Sequence, residues 1–152
     1  MSQSMSAADI LAGQNRALEG VELSSCVATS IDMGQGIFGV LSYYPDPEWR
    51  LAHTRFPKST KESDRKLKYQ KIPECFQPQM RQMMLHYLVK GIEGRKSPAG
   101  GTLVDFFTHA AVFLRYMASQ FKLASLQAIK PLHCIQYVEY HKSRISQKTG
   151  KP

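Results

Sequence analysis

The sequence predicts an α+β chain, mainly helical over residues 72–152 and preceded by a small β-hairpin region. Three observations carry this prediction. Apolar residues recur at helical spacing in three stretches between Met80 and Val138. Extended stretches rich in apolar, β-branched and aromatic residues flank a Pro45-Asp46-Pro47-Glu48 turn. The charge is also divided unevenly: residues 1–49 carry one base against six acids, a net of −5, and residues 50–152 carry 19 bases against six acids, a net of +13. With 152 residues and a 43% hydrophobic share, the chain can bury a core as one ordinary domain, alone or with a small appendage.

Residues 1–25 are rich in Ser, Ala, Gln and Gly and read as a flexible N-terminus, with Ala7–Leu18 at most a weak helix. Residues 26–56 form the hairpin region. Val27–Ile31 is extended, and Ile37–Tyr44 is expected to pair across the double-proline turn with Trp49–Phe56. Residues 57–71 hold Lys58, Lys61, Arg65, Lys66, Lys68 and Lys71, with Leu67 and Tyr69 as the only large apolar or aromatic side chains after Pro57. So little apolar surface predicts a solvated basic linker.

The helices follow. Met80, Met83, Met84, Tyr87 and Leu88 line one face of the first, and Gly91 and Gly94 can end it in the left-handed conformation that glycine tolerates. Ser97–Gly101 is a loop. Thr102 is placed to cap the second helix, with Asp105 near its positive end. Its buried stripe is Leu103, Phe106, Phe107, Ala110, Phe113, Leu114 and Met117. Pro131 suits the first turn of the third helix, and Leu132, Ile135 and Val138 are expected on its inner face.

The residues offer no catalytic set. The five histidines lack metal-ligand spacing, and the three cysteines (Cys26, Cys75, Cys134) lie far apart, as free thiols in a reducing compartment do. Gly34-Gln35-Gly36 is too short for a phosphate loop. No cofactor or metal is expected. The start lacks a secretory pattern and no run approaches 18 apolar residues, which predicts a cytoplasmic protein with no membrane partner. A net charge of +8 and a pI near 9.5 favour a polyanionic partner. The candidate nucleic-acid contacts are the six bases of 57–71, then Thr108, His109 and Arg115 on the second helix opposite its Phe stripe, Lys122 just past it, and Lys148.

Thr102–Met117 reads Thr-Leu-Val-Asp-Phe-Phe-Thr-His-Ala-Ala-Val-Phe-Leu-Arg-Tyr-Met; a Ser125-Leu126-Gln127-Ala128-Ile129 turn, a helix at Pro131–His141 and a Thr-Gly-Lys segment at Gln147–Pro152 follow. With the helix at Pro73–Gly91, this order resembles the SAM-like core-binding domain of tyrosine recombinases, the phage-integrase family. The resemblance covers residues 72–152. It implies DNA binding as the N-terminal part of a site-specific recombinase, with duplex DNA and other recombinase protomers as partners. The family's fourth helix and its catalytic domain, with its arginines, lysine, histidines and nucleophilic tyrosine, have no counterpart here. Tyr137 and Tyr140 are no substitutes, and the chain is not expected to be an enzyme. Without the fourth helix, apolar surface at Phe106, Phe113 and Ile135 should be less covered. Residues 1–56 match no family, and the acidic balance of 1–49 argues against a DNA-binding sheet there. Two rival readings stay open: a helical protein-interaction module whose Met/Phe surface meets a partner, and a small enzyme with an unrecognised site.

Overall fold

The computed structural model describes residues 4–91 and 99–149, and their side chains as far as Arg144. The chain is α+β, with four α-helices and two small antiparallel sheets among the described residues. Gly94, Ser97, Pro98 and Gly150–Pro152 lie outside them.

The N-terminal segment is folded, unlike the flexible start expected from its composition. Strand β1 (Ser4–Ser6) leads into α1 (Ala7–Leu18), whose first turn is capped by the Ser6 hydroxyl accepting the Asp9 N–H at 3.2 Å. The cap supplies what the weak intrinsic propensity lacks. Burial of Ile10 and of Ala17 (0% exposed) then fixes the helix against the rest.

The hairpin exists, but with other partners. β2 (Val27–Gly34) pairs with β3 (Ile37–Tyr43), and β1 adds to the far side of β3. Gly34, Gln35 and Gly36 make the turn, all with φ between 58° and 91°. Two glycines meet that demand without steric cost. The Pro45–Glu48 turn instead leads to β4 (Glu48–Arg50), which pairs with β5 (Lys66–Lys68).

That pairing overturns the solvated-linker reading of residues 57–71. In β5 the residues alternate: Leu67 is fully buried, Lys66 and Lys68 are half-buried, and Tyr69 just beyond is again fully buried. A charge count hides this period of two, because each lysine faces out while its neighbour enters the core. Trp49, opposite Leu67 in the ladder, is also fully buried.

Helix α2 (Gln77–Lys90) buries Met80, Met84 and Leu85 and ends at Gly91 with φ 78°. Helix α3 (Gly100–Phe121) starts two residues before the expected cap at Thr102, with Ala99 as N-cap. Gly100 explains the early start. A Cβ there would lie 2.4 Å from Phe56 Cζ, so any larger residue would have to push that ring aside. Leu103, Phe107, Leu114 and Met117 are buried as the spacing predicts, whereas Phe106 is 38% exposed.

Helix α4 (Pro131–Thr149) begins at Pro131 but presents a different face from the one expected. Leu132, Ile135 and Val138 are 61%, 58% and 47% exposed. The helix docks through aromatics instead. Tyr137 meets Phe113 at 5.0 Å between ring centroids, Tyr140 meets Tyr116 at 4.8 Å, and His133 meets Phe121 at 4.6 Å. His133, Tyr137 and Tyr140 stand at i, i+4 and i+7, one face of the helix, and ring-on-ring contacts hold that face against α3.

Cys26 begins the β2 edge of the core, 1% exposed, and burial pushes its thiol up to about 11 against the pull of the Arg16 charge. A raised folded value stabilises fully below the ordinary thiol value and is lost as pH climbs toward 11. At neutral pH iodoacetamide should alkylate the exposed Cys75 and Cys134 and spare Cys26 until the chain is unfolded. Mass spectrometry after timed labelling checks this, and equal rates at all three would contradict the burial.

Candidate nucleic-acid interface

The alternation in β5 sets the site. Because Leu67 and Tyr69 turn inward, Lys66 and Lys68 stand on the outer face of the β4–β5 ribbon. Tyr69 and Phe107 of α3 meet edge to face, 5.1 Å between centroids, and Tyr69 meets Trp49 at 5.0 Å. This aromatic chain clamps the ribbon onto α3. On the other side of Tyr69 lies Arg81, its guanidinium 4.2 Å from the ring centroid. Arg81 donates to the carbonyls of Tyr44 and Asp46, closing the Pro45–Glu48 turn onto α2. Burial pulls the Arg81 pKa down and pushes that of Tyr69 well up. Both groups are structural supports beneath the surface that carries charge.

Where the ribbon meets α3 a cleft of about 150 Å³ opens, lined by Lys66, Lys68, Lys71, Thr108 and Arg115, with Ser63 and Asp64 on one side. Its floor is Val104, Phe107 and Ala111. Arg115 is exposed, and its Nη1 donates to the Lys71 carbonyl at 3.4 Å, joining the helix to the end of the ribbon. Thr108 and Arg115 are seven residues apart, two helical turns, so both project from one side of α3 toward the lysines. Four cations and a hydroxyl thus converge on a space open to solvent. That is the chemistry that receives phosphate oxygens.

The other sequence-derived candidates fall elsewhere. Arg65 lines a neighbouring cleft with Arg50, His53 and Glu62, and Lys66 lines that cleft too. Lys58 and Lys61 are exposed outside both clefts, in the turns before β5. Lys122 closes α3 with φ 55° and is exposed, also outside both. Lys148 lies on α4, its side chain beyond those described. His109 is on the far side of α3. It lines an apolar groove of about 660 Å³ between α2, α3 and α4, with Phe76, Met80, Phe106, Phe113, Tyr137 and Val138 among its walls. This groove is larger than the basic cleft, but among the described residues Lys142 is its only lysine or arginine, so it is not built for phosphate. Arg50 was missed in the sequence. The available signal was its place beside Trp49, which mirrors Lys66 beside Leu67 across the ladder.

Among the described residues no group of three or more His, Cys, Asp or Glu could hold a metal ion. Tyr137 and Tyr140 are engaged in ring contacts with α3. Among the described residues no helix is long and apolar enough to cross a membrane. No protein-family model, no curated protein and no solved structure matches the chain.

Proposed function

We propose that the chain binds duplex DNA in the cytoplasm through the basic cleft between β5 and α3, as the N-terminal part of a tyrosine-recombinase-like protein and without strand-cutting chemistry of its own. The observation that carries this reading is the convergence of Lys66, Lys68, Lys71 and Arg115 with Thr108 on one cleft. Five candidates named from sequence, separated by as many as 49 positions from Lys66 to Arg115, meet at one place. The lysines give attraction without base preference, and Arg115, held on a helix, can contact a phosphate or a guanine edge with fixed geometry.

A second reading, a helical protein-interaction module, draws on the apolar groove and on the exposed Leu132, Ile135 and Val138 beside it. In the recombinase reading the same surface faces other protomers or a further helix.

Fluorescence anisotropy with a labelled duplex, titrated at several salt concentrations, separates the two. Four phosphate contacts in this cleft predict a log–log slope of about −3.6 or steeper, at about −0.9 per contact. No binding at low salt, or a flat salt response, would remove the DNA reading and leave the interaction module.

A further inference from the structure

We infer that one DNA backbone strand runs along the outer face of the β4–β5 ribbon through two basic clefts that share Lys66, and that the Glu48 carboxylate competes with the phosphates for that lysine. This rests on the duplex reading above and adds a path and an antagonist to it.

The second cleft, about 160 Å³, is lined by Arg50, His53, Arg65 and Lys66, with Glu62 as its acid. The first holds Lys66, Lys68, Lys71 and Arg115, with Asp64. Lys66 is the cation common to both, so the two clefts form one track rather than two sites. Order along the track follows from the ladder. Arg50 stands opposite Lys66, and Lys68 lies two residues on along the same face. Two strand residues advance by about 6.6–6.8 Å. Neighbouring phosphates on one duplex strand are separated by the helical winding as well as by the axial rise, so that step matches about one phosphate-to-phosphate spacing. Among the described residues, Phe107 is the only Phe, Tyr or Trp lining either cleft, and it is buried. With His53 as the one exposed ring along it among the described residues, the track offers little stacking surface and suits a phosphate backbone better than the stacked bases of a single strand.

Glu48 sits on the same ribbon, opposite Lys68. Its Oε1 lies 3.9 Å from Lys66 Nζ, and its Oε2 accepts from Gln70 Nε2 at 3.0 Å. The carboxylate therefore pairs with the shared lysine and sets a negative charge beside the track, though it lines neither cleft itself. Replacing it with the isosteric amide removes the repulsion and frees Lys66, and leaves an amide able to meet Gln70.

The test uses the full chain and a labelled duplex of arbitrary sequence. Glu48→Gln should tighten binding, by roughly three- to tenfold at low salt. Arg50→Gln and Arg65→Gln should each weaken binding and lower the salt slope by about 0.9. Lys130→Ala, an exposed cation outside both clefts, is the control for lost net charge. Near-ultraviolet circular dichroism from buried Trp49 checks that each variant is folded. If Glu48→Gln gives no gain, or if Arg50→Gln and Arg65→Gln change the slope no more than Lys130→Ala, the track is wrong while the duplex reading stands. If the wild-type chain binds no duplex, both fall. Phosphatidylserine vesicles bound as tightly as duplex, with the same Glu48→Gln gain, would mark a general anion surface and also overturn the track.

Discussion

Replacing Lys66, Lys68, Lys71 and Arg115 together with alanine should lower duplex affinity on the order of 100-fold or more at low salt, since four counterion-releasing contacts disappear at once. The fold should survive the change. Lys66 has one ion pair at 3.9 Å, and Arg115 one long hydrogen bond at 3.4 Å. Partly exposed contacts of this kind contribute little to stability. Leu67 and Tyr69, which hold the ribbon in place, are untouched. The loss would therefore report on binding, and a folded variant with wild-type affinity would place the interface elsewhere.

Leu67→Ala should destabilise the chain by about 2–5 kcal/mol, because it opens a cavity in a close-packed core. Leu67 is fully buried, opposite Trp49 in the ladder and in the same core as Phe107 and Leu114. Against a typical total of about 5–15 kcal/mol this is a large fraction. Urea unfolding followed by Trp49 fluorescence measures it. The same substitution in a solvated linker would leave the midpoint unchanged, so the experiment separates the observed ribbon from the disordered segment that charge alone suggests. A destabilised ribbon should also weaken DNA binding, because Lys66 and Lys68 depend on Leu67 for their direction.

The helical half was legible because its signals are local. The stripes of α2 and α3, the glycine that ends α2 and the proline that opens α4 lie within a few turns of the residues they organise. The ribbon was not legible. Lys66-Leu67-Lys68-Tyr69 is four residues long, its polar members are strongly charged, and its partner strand lies across a turn and a basic stretch. The helix α1 was underread because its support comes from one serine cap and from long-range burial of Ile10 and Ala17. In α4 the aliphatic residues suggested the inner face, but packing selected His133, Tyr137 and Tyr140, a second stripe at helical spacing that was passed over for the aliphatic one.

For the candidate site, residue type was readable and position was not. The cations of 66–71, Thr108 and Arg115 stood out by charge and by helical face. That they meet, and that Lys58, Lys61, Lys122 and His109 stay apart from them, depends on how β5 docks against α3 through Tyr69 and Phe107. Arg65 is an intermediate case, since it joins the others only through the cleft it shares with Lys66.

The most direct test compares two variants that each lose four positive charges. One carries Lys66, Lys68, Lys71 and Arg115 as alanine; the other carries Lys58, Lys61, Lys122 and Lys130 as alanine, four exposed lysines outside the clefts. The salt dependence of duplex binding is measured for both and for the wild-type chain. If the cleft is the interface, its variant loses about 3–4 units of log–log slope and the other keeps nearly the wild-type slope. Equal losses would mean that net charge alone holds the DNA, and would contradict a defined interface between β5 and α3.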